Sequence, residues 1–140
     1  MEEASNIKSL INRKLLQSYI SLMLIQDGGY LARDAFVYFN KNKQEKRYWG
    51  TGIMFHLSRK YDYDNMYDII SNRSEFFGDK LIPFACDGGG NLVCFDYTTS
   101  FGFDNPTVAF WIHDDPKGKG VHFIADNFSK FLEMLYKSRD

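Results

Sequence analysis

The chain has few cysteines, no long apolar segment and no excess of basic residues, and each absence excludes a class of protein. Cys86 and Cys94 fit no common zinc-ligand spacing, and no histidine close by in the sequence completes a site. No segment approaches the roughly 18 apolar residues that cross a bilayer, so no membrane span is predicted. The segment Met1–Ser5 is acidic and polar, unlike a secretory signal, which indicates a cytoplasmic protein with reduced thiols.

The charge balance argues against general nucleic-acid binding. The 17 lysines and arginines are opposed by 18 aspartates and glutamates, so the net charge is −1 and the pI is about 6.3. A nucleic-acid-binding protein needs a basic excess to neutralise phosphates, and this chain has none.

The chain is instead rich in apolar residues. Hydrophobic residues make up 44% and aromatic residues 17%, with 13 Phe and 9 Tyr, which excludes a disordered composition. A chain of 140 residues can bury a core of its own, so we expect one domain over residues 1–140.

Apolar residues at helical spacing predict helices near both ends of the chain and one between strands. The N-terminal pattern ends at Gly28 and Gly29, and either one continuous helix or two helices fit it. The candidate N-caps of the helical segments are Ser5, Asp64 and Asp126.

Runs of β-branched and aromatic residues predict the strands. Lys41–Arg47 is basic and polar, which fits an exposed loop or a hairpin tip. Short connections favour antiparallel pairing, so the expected fold class is α+β. The predicted strands are Ala35–Phe39, Tyr48–Leu57, the two arms of Leu81–Asp96, Thr107–His113 and Val121–Ala125. Within the second, Gly50 and Gly52 mark a bulge or a close approach of the backbone.

A glycine triplet separates the two arms of the predicted hairpin. Asp87 and Asn91 bracket residues 88–90, which predicts a tight turn. A phosphate-binding loop would need a lysine and a following helix, but here a strand follows. Cys86 and Cys94 lie on opposite arms, which leaves their pairing open.

Three histidines, His56, His113 and His122, are scattered along the chain. His113 precedes Asp114 and Asp115, which fits an oriented imidazole, part of a metal site, or a strand-end histidine beside a solvated turn. No second histidine lies at ligand spacing, and there is no G-x-S-x-G elbow. We predict no catalytic residue, no cofactor and no metal, and keep an enzyme centred on His113 as the third hypothesis.

Tyrosines and aspartates alternate between residues 61 and 68. Tyrosine is frequent at binding hot spots, and a negative patch suits a basic partner such as a nuclease cleft. The alternative is a helix start, where carboxylates favour the dipole and tyrosines pack inward. With the acidic turn after His113, the predicted partner-binding residues are Tyr61, Asp62, Tyr63, Asp64, Tyr67, Asp68, Asp114 and Asp115.

Three ordered segments resemble the SUKH superfamily, which comprises cell-wall assembly regulators and bacterial toxin-immunity proteins. They are Leu15–Gly29, Leu81–Asp96 and the stretch from Val108 to Leu135. The resemblance departs from the family at Leu16, Asp27 and Asn127, where proline, asparagine and serine are usual. It implies a structural role for Tyr19, Gly28, Gly29, Pro83, Asp87, Gly90, Asn91, Trp111, Asp126 and Phe128.

The resemblance implies a single domain with a central, mainly antiparallel sheet flanked by helices, and a binding module that is not an enzyme. In bacteria, such proteins bind a toxin, often a nuclease, and neutralise it inside the producing cell. The eukaryotic members suggest a regulatory scaffold as the alternative. We therefore expect a protein partner, a cognate toxin, and no nucleic acid or membrane; exposed strand edges are compatible with a homodimer.

Overall fold

The computed structural model describes residues 17–25, 28–30, 33–50, 53–56, 65–77, 80–87, 89–98, 105–116 and 118–137. The helices along these residues are α1 (Gln17–Ile25), α2 (Met66–Phe77) and α3 (Phe128–Met134). The strands are β1 (Gly29–Tyr30), β2 (Ala35–Asn40), β3 (Glu45–Gly50), β4 (Ile53–Met54), β5 (Leu81–Cys86), β6 (Leu92–Asp96), β7 (Thr107–Trp111) and β8 (Val121–Ala125).

Six strands form one sheet in the order β1-β4-β5-β6-β7-β8, and β2 pairs with β3 in a separate hairpin. Every pair of neighbouring strands is antiparallel, as short connections favour. The predicted α+β class with an antiparallel sheet is confirmed. Among the described helices, none has the length and apolar content that a membrane span requires.

The hairpin predicted around the glycine triplet is confirmed as β5 and β6. Cys86 lies opposite Leu92 in this pair, and Cys94 lies opposite Pro83. The two cysteines are therefore not cross-strand neighbours, and no disulfide joins them. Burial raises the pKa of the Cys94 thiol well above its ordinary value, and nearby Asp96 raises it further. Cys94 is thus a protonated core residue.

The prediction of one strand over Tyr48–Leu57 is wrong. The chain leaves the β2–β3 hairpin at Gly50 and enters the six-stranded sheet at Ile53. β3 pairs with β2, whereas β4 pairs with β1 and β5. A continuous strand would keep the same neighbours, so the change of sheet divides it.

The basic segment Lys41–Arg47 is a hairpin tip. Residues 41–44 form the turn, and the segment continues into β3 from Glu45 onward. The Asn40 side-chain oxygen accepts the backbone N–H groups of Asn42 and Lys43 at 3.0 and 3.2 Å. This side-chain-to-backbone turn orders the tip without a glycine.

The prediction that Asp126 caps the last helix is wrong by one residue. Asn127 occupies the N-cap of α3, and its side chain accepts the backbone N–H of Lys130 at 2.8 Å. A cap must reach the N–H two or three residues later, and Asn127 reaches the third. Asp126 instead lies 3.5 Å from the Lys130 ammonium on the surface.

Asn65 holds the first turn of α2. Its side-chain oxygen accepts the backbone N–H of Asp68 at 2.8 Å, which is the geometry of an N-cap. The candidate caps Ser5 and Asp64 lie outside the described residues, as does the predicted helical pattern before Gln17.

The core is centred on Phe84, which lies at a β-bulge. The pairing of β5 with β6 shifts register between Pro83 and Ala85, where proline lacks the N–H of a regular ladder. The Phe84 ring is fully buried, and its centroid lies 4.3 Å from that of Phe95 in a stacked arrangement. Its centroid lies 5.9, 5.6 and 5.7 Å from those of Tyr19, Phe128 and Phe131 in edge contacts.

The β2–β3 hairpin packs on the same core. The centroids of Phe36 and Tyr38 on β2 lie 5.3 and 5.2 Å from that of Phe110 on β7. Tyr136, which follows α3, exchanges two backbone hydrogen bonds of 2.8 and 3.0 Å with Ala35 at the start of β2. The separate hairpin is therefore fixed to the six-stranded sheet and to the chain after α3.

We predict that Phe84→Ala lowers the free energy of unfolding by about 3–5 kcal/mol, because it leaves a cavity among four aromatic rings. Phe123→Ala is the matched control, since Phe123 is 56% exposed and should cost less than about 1 kcal/mol. Urea denaturation followed by circular dichroism measures both. Equal losses from the two variants would contradict the central position of Phe84.

Candidate functional site

The β5–β6 turn is organised by a buried carboxylate. The Asp87 side chain accepts hydrogen bonds from the backbone N–H groups of Gly89 and Asn91, at 2.8 and 3.0 Å. It also accepts the Asn91 side-chain amide at 2.9 Å. Three donors within the turn use most of the acceptor capacity of this carboxylate. Asp87 is a turn-forming residue in this geometry.

His113 closes the same turn from the end of β7. The Asn91 side-chain oxygen accepts the backbone N–H of His113 at 3.1 Å. The His113 Nε2 lies 2.7 Å from the Gly89 carbonyl oxygen; a carbonyl only accepts, so Nε2 carries the hydrogen. The ring lies against Gly90, whose φ is 90° and whose added Cβ would lie 3.2 Å from it. His113 therefore holds a turn that only glycine fits.

The described residues contain no group of three His, Cys, Asp or Glu side chains arranged to hold a metal ion. His113 has Asp114 as a carboxylate neighbour, with Nδ1 3.2 Å from Oδ1. Its Nε2 is engaged by a backbone carbonyl. The geometry of this histidine is that of a structural contact.

A second network joins the β7–β8 turn to the hairpin tip. His122 is fully buried, and its Nε2 donates to a carboxylate oxygen of Asp115 at 2.8 Å. The same Asp115 oxygen accepts the side-chain amide of Asn42 at 3.2 Å, and this amide also donates to the Lys119 carbonyl at 2.8 Å. We call these residues the Asp115 network. It ties the tip of β2–β3 to the turn after β7.

Sequence reasoning missed the role of His122. Its ring packs 5.6 Å from that of Tyr38, and burial raises the pKa of the Tyr38 hydroxyl above its ordinary value. A polar residue between Val121 and Phe123 would be placed on the outer face from the sequence alone, whereas the structure buries His122 and exposes Phe123. A polar residue at an inward strand position indicates a buried hydrogen bond.

The predicted partner-binding residues lie on two elements. Tyr67 and Asp68 are half-buried in the first turn of α2, where Asp68 accepts the Asn65 side-chain amide at 2.7 Å. Asp114 and Asp115 follow β7, two strands away from β5, along which α2 lies. Residues 61–64 of this set lie outside the described residues.

The two adjacent aspartates differ in exposure. The Asp114 side chain is 86% exposed, whereas that of Asp115 is 14% exposed because it is held in the Asp115 network. Asp114 is therefore the aspartate of this turn that is available to a partner. A single acidic docking surface formed by both elements stays a prediction.

The residues that the resemblance implies to be structural lie in the core or at turns. Tyr19, Pro83 and Phe128 are buried, and Trp111 is half-buried opposite Leu92. The three glycines have positive φ values: Gly28, Gly29 and Gly90.

An exposed aromatic face was not predicted from the sequence. Directly opposed residues of antiparallel strands share a face, so Tyr48 lies beside Val37, and Lys46 beside Phe39. Tyr136 joins the same face, since it bridges Ala35. We call this the hairpin face. Its aromatic side chains Phe39, Tyr48 and Tyr136 are 49%, 72% and 39% exposed.

Comparison with known proteins matches residues 2–134 to the model of the SMI1 / KNR4 family (SUKH-1). A curated relative in Bacillus subtilis (strain 168), the SPbeta prophage-derived uncharacterized protein YokK, is 31% identical over 75 residues. That match covers 53% of this chain and 36% of the relative, so it spans about a third of the relative's length. No solved structure matches the chain.

We predict that Asp115→Ala lowers the free energy of unfolding by about 1–3 kcal/mol, because it leaves the buried His122 Nε2 without its acceptor. The neighbouring Asp114→Ala is the control and should change it by less than about 0.5 kcal/mol, since Asp114 is exposed. Chemical denaturation of both variants is the measurement. If Asp115→Ala lowered the free energy of unfolding no more than Asp114→Ala does, the Asp115 network would contribute nothing to stability.

Proposed function

Because this chain belongs to the SMI1 / KNR4 family (SUKH-1), we propose that it is an immunity protein that binds and neutralises a cognate bacterial toxin. The family match over residues 2–134 is the observation that carries the proposal. The prophage-derived relative is itself uncharacterized, so the proposal rests on the family match. The protein acts in the cytoplasm of the producing cell, where it meets the toxin.

The proposed mechanism is stoichiometric binding without catalysis or a cofactor. The side chains of Asp87 and His113 could carry chemistry by residue type, but their hydrogen bonds hold the β5–β6 turn. A binding protein needs a stable frame and an exposed surface, and these contacts provide the frame. The toxin is inactivated when this surface covers its active site or locks it in an inactive arrangement.

A regulatory scaffold is the second candidate, because cell-wall assembly regulators share the fold family. It would bind a kinase or a cell-wall factor instead of a toxin. Affinity purification distinguishes the two candidates: recovery of such a factor, with no toxin gene in the neighbouring reading frames, favours the scaffold.

We predict that co-expression of this chain restores the growth of cells that produce the toxin encoded in the adjacent reading frame. The same pair should co-purify as a stoichiometric complex, and size-exclusion chromatography with light scattering gives its composition. A toxin domain from an unrelated locus is the control for specificity. Absence of both rescue and complex would show that the chain is not the immunity protein of that toxin.

We propose that the acidic residues contribute to this interface, by complementing a basic nuclease cleft. The variant Asp62→Lys with Asp64→Lys and Asp114→Lys should raise the Kd for the toxin at least tenfold, while Glu133→Lys, on the exposed side of α3, should not. Tyr61, Tyr63 and Tyr67 would supply aromatic contacts beside them. Asp68 and Asp115 are left intact, because their carboxylates have internal partners.

Calorimetric titration of the toxin domain measures these affinities. An unchanged Kd for the triple variant would remove the acidic residues from the interface and leave the immunity role in place.

A further inference from the structure

The hairpin face combines exposed aromatic side chains with a rigid backbone. Phe39 and Tyr48 point away from the core, because Phe36 and Tyr38 at the alternate positions of β2 are buried. Large exposed aromatic side chains grouped on one face are unusual for a surface that stays in water. Tyrosine and phenylalanine are also enriched in the buried centres of protein interfaces.

The hairpin is held in place before any partner binds. Its inner residues Phe36 and Tyr38 pack against Phe110, and its tip is tied to the β7–β8 turn by Asn42. The Asn40 side chain orders the turn itself. A partner would therefore meet an ordered surface, with little conformational entropy lost on binding.

The charge beside the hairpin face is positive. Lys41 and Lys43 are exposed at the tip, and exposed Lys46 lies opposite Phe39. Glu45 is the acidic residue of this tip, and its carboxylate lies 2.7 Å from the Arg47 guanidinium. That pair cancels its own charge, so the three lysines leave the tip with a net positive charge.

We propose that the hairpin face docks an acidic, partly apolar surface of a protein partner. The proposal rests on the proposed function, in that the partner is the toxin, and it adds the hairpin face to the interface. The tip of the hairpin adjoins the turn that carries Asp114, because Asn42 contacts the neighbouring Asp115. The aromatic side chains would be buried at the centre, and Lys41, Lys43 and Lys46 would meet carboxylates at the rim.

Two other occupants fit the hairpin face less well. A nucleic acid would require a wider basic surface, and the whole chain has a net charge of −1. A second copy related by a two-fold axis would bring together two patches of the same positive charge, since each carries Lys41, Lys43 and Lys46. An acidic, partly apolar protein surface can bury the aromatic side chains and also pair its carboxylates with the lysines.

The test is calorimetric titration of the toxin domain encoded in the adjacent reading frame. Phe39→Thr with Tyr48→Thr should raise the Kd at least tenfold, since threonine keeps the strand propensity and removes the aromatic contacts. Lys43→Glu with Lys46→Glu should raise the Kd more at low salt than at high salt, because screening weakens charge repulsion.

The controls make substitutions of the same kind on other surfaces. Phe123→Thr removes an exposed aromatic ring whose neighbour His122 contacts Tyr38, so Phe123 points to the other face of the sheet. Lys80→Glu with Lys130→Glu reverses two exposed lysines and changes the net charge by the same amount. Both controls should bind as the unsubstituted chain does. Circular dichroism melting checks that every variant folds, and the variant of Lys43 and Lys46 tests the face independently of the variant of Phe39 and Tyr48.

Each outcome of the titration gives a different answer. Weaker binding of both hairpin variants, with unchanged controls, supports the proposal. Unchanged binding of both overturns it and leaves the immunity role standing. A dimer of this chain that the hairpin variants convert to a monomer would show a second copy on the face and would also overturn it. If the unsubstituted chain binds no such toxin, the proposed function fails and the hairpin proposal fails with it.

Discussion

The burial of Phe84 at a bulge of β5 is the constraint on which the packing of the other elements depends. Proline at position 83 cannot donate to a neighbouring strand, so the ladder is irregular at this point. The bulged residue places its ring between α1, β6 and α3, through contacts with Tyr19, Phe95 and Phe128. Two of the helices, α1 and α3, therefore meet the sheet at one side chain, and the β2–β3 hairpin joins the same cluster through Phe131.

Local signals in the sequence were enough for the elements whose partners are close along the chain. The β5–β6 hairpin, β7, β8 and the helices followed from turn residues and periodicity. The change of sheet after Gly50 could not be predicted in this way, because it depends on the pairing of β3 and β4 with strands elsewhere in the chain. The predicted N-cap of α3 was wrong by one residue, because Asp126 and Asn127 are both residue types that suit an N-cap. Only the residue at which the helix begins decides between them.

Less of the candidate site could be predicted from the sequence, because it too depends on contacts between distant segments. The residues with the clearest motif character, Asp87, Gly90 and Asn91, satisfy one another within a turn. A sequence pattern can identify residues that a turn requires. A binding surface consists of side chains that the fold leaves exposed, and these are known only once distant segments have packed. The Asp115 network illustrates the gap, since Asn42 and Asp115 are 73 residues apart and meet only in the folded chain.

The Asp115 network also connects the frame of the molecule to its proposed docking surface. The alternation that buries Phe36 and Tyr38 necessarily turns Val37 and Phe39 outward, so core packing and surface presentation are two sides of one strand. A two-stranded hairpin alone has marginal stability, and the hydrogen bonds of Asn42 to Asp115 and Lys119 fix its far end. Asp115, which the sequence analysis predicted to contact a partner directly, is held inside this network, where it fixes the position of the hairpin that carries the proposed docking face.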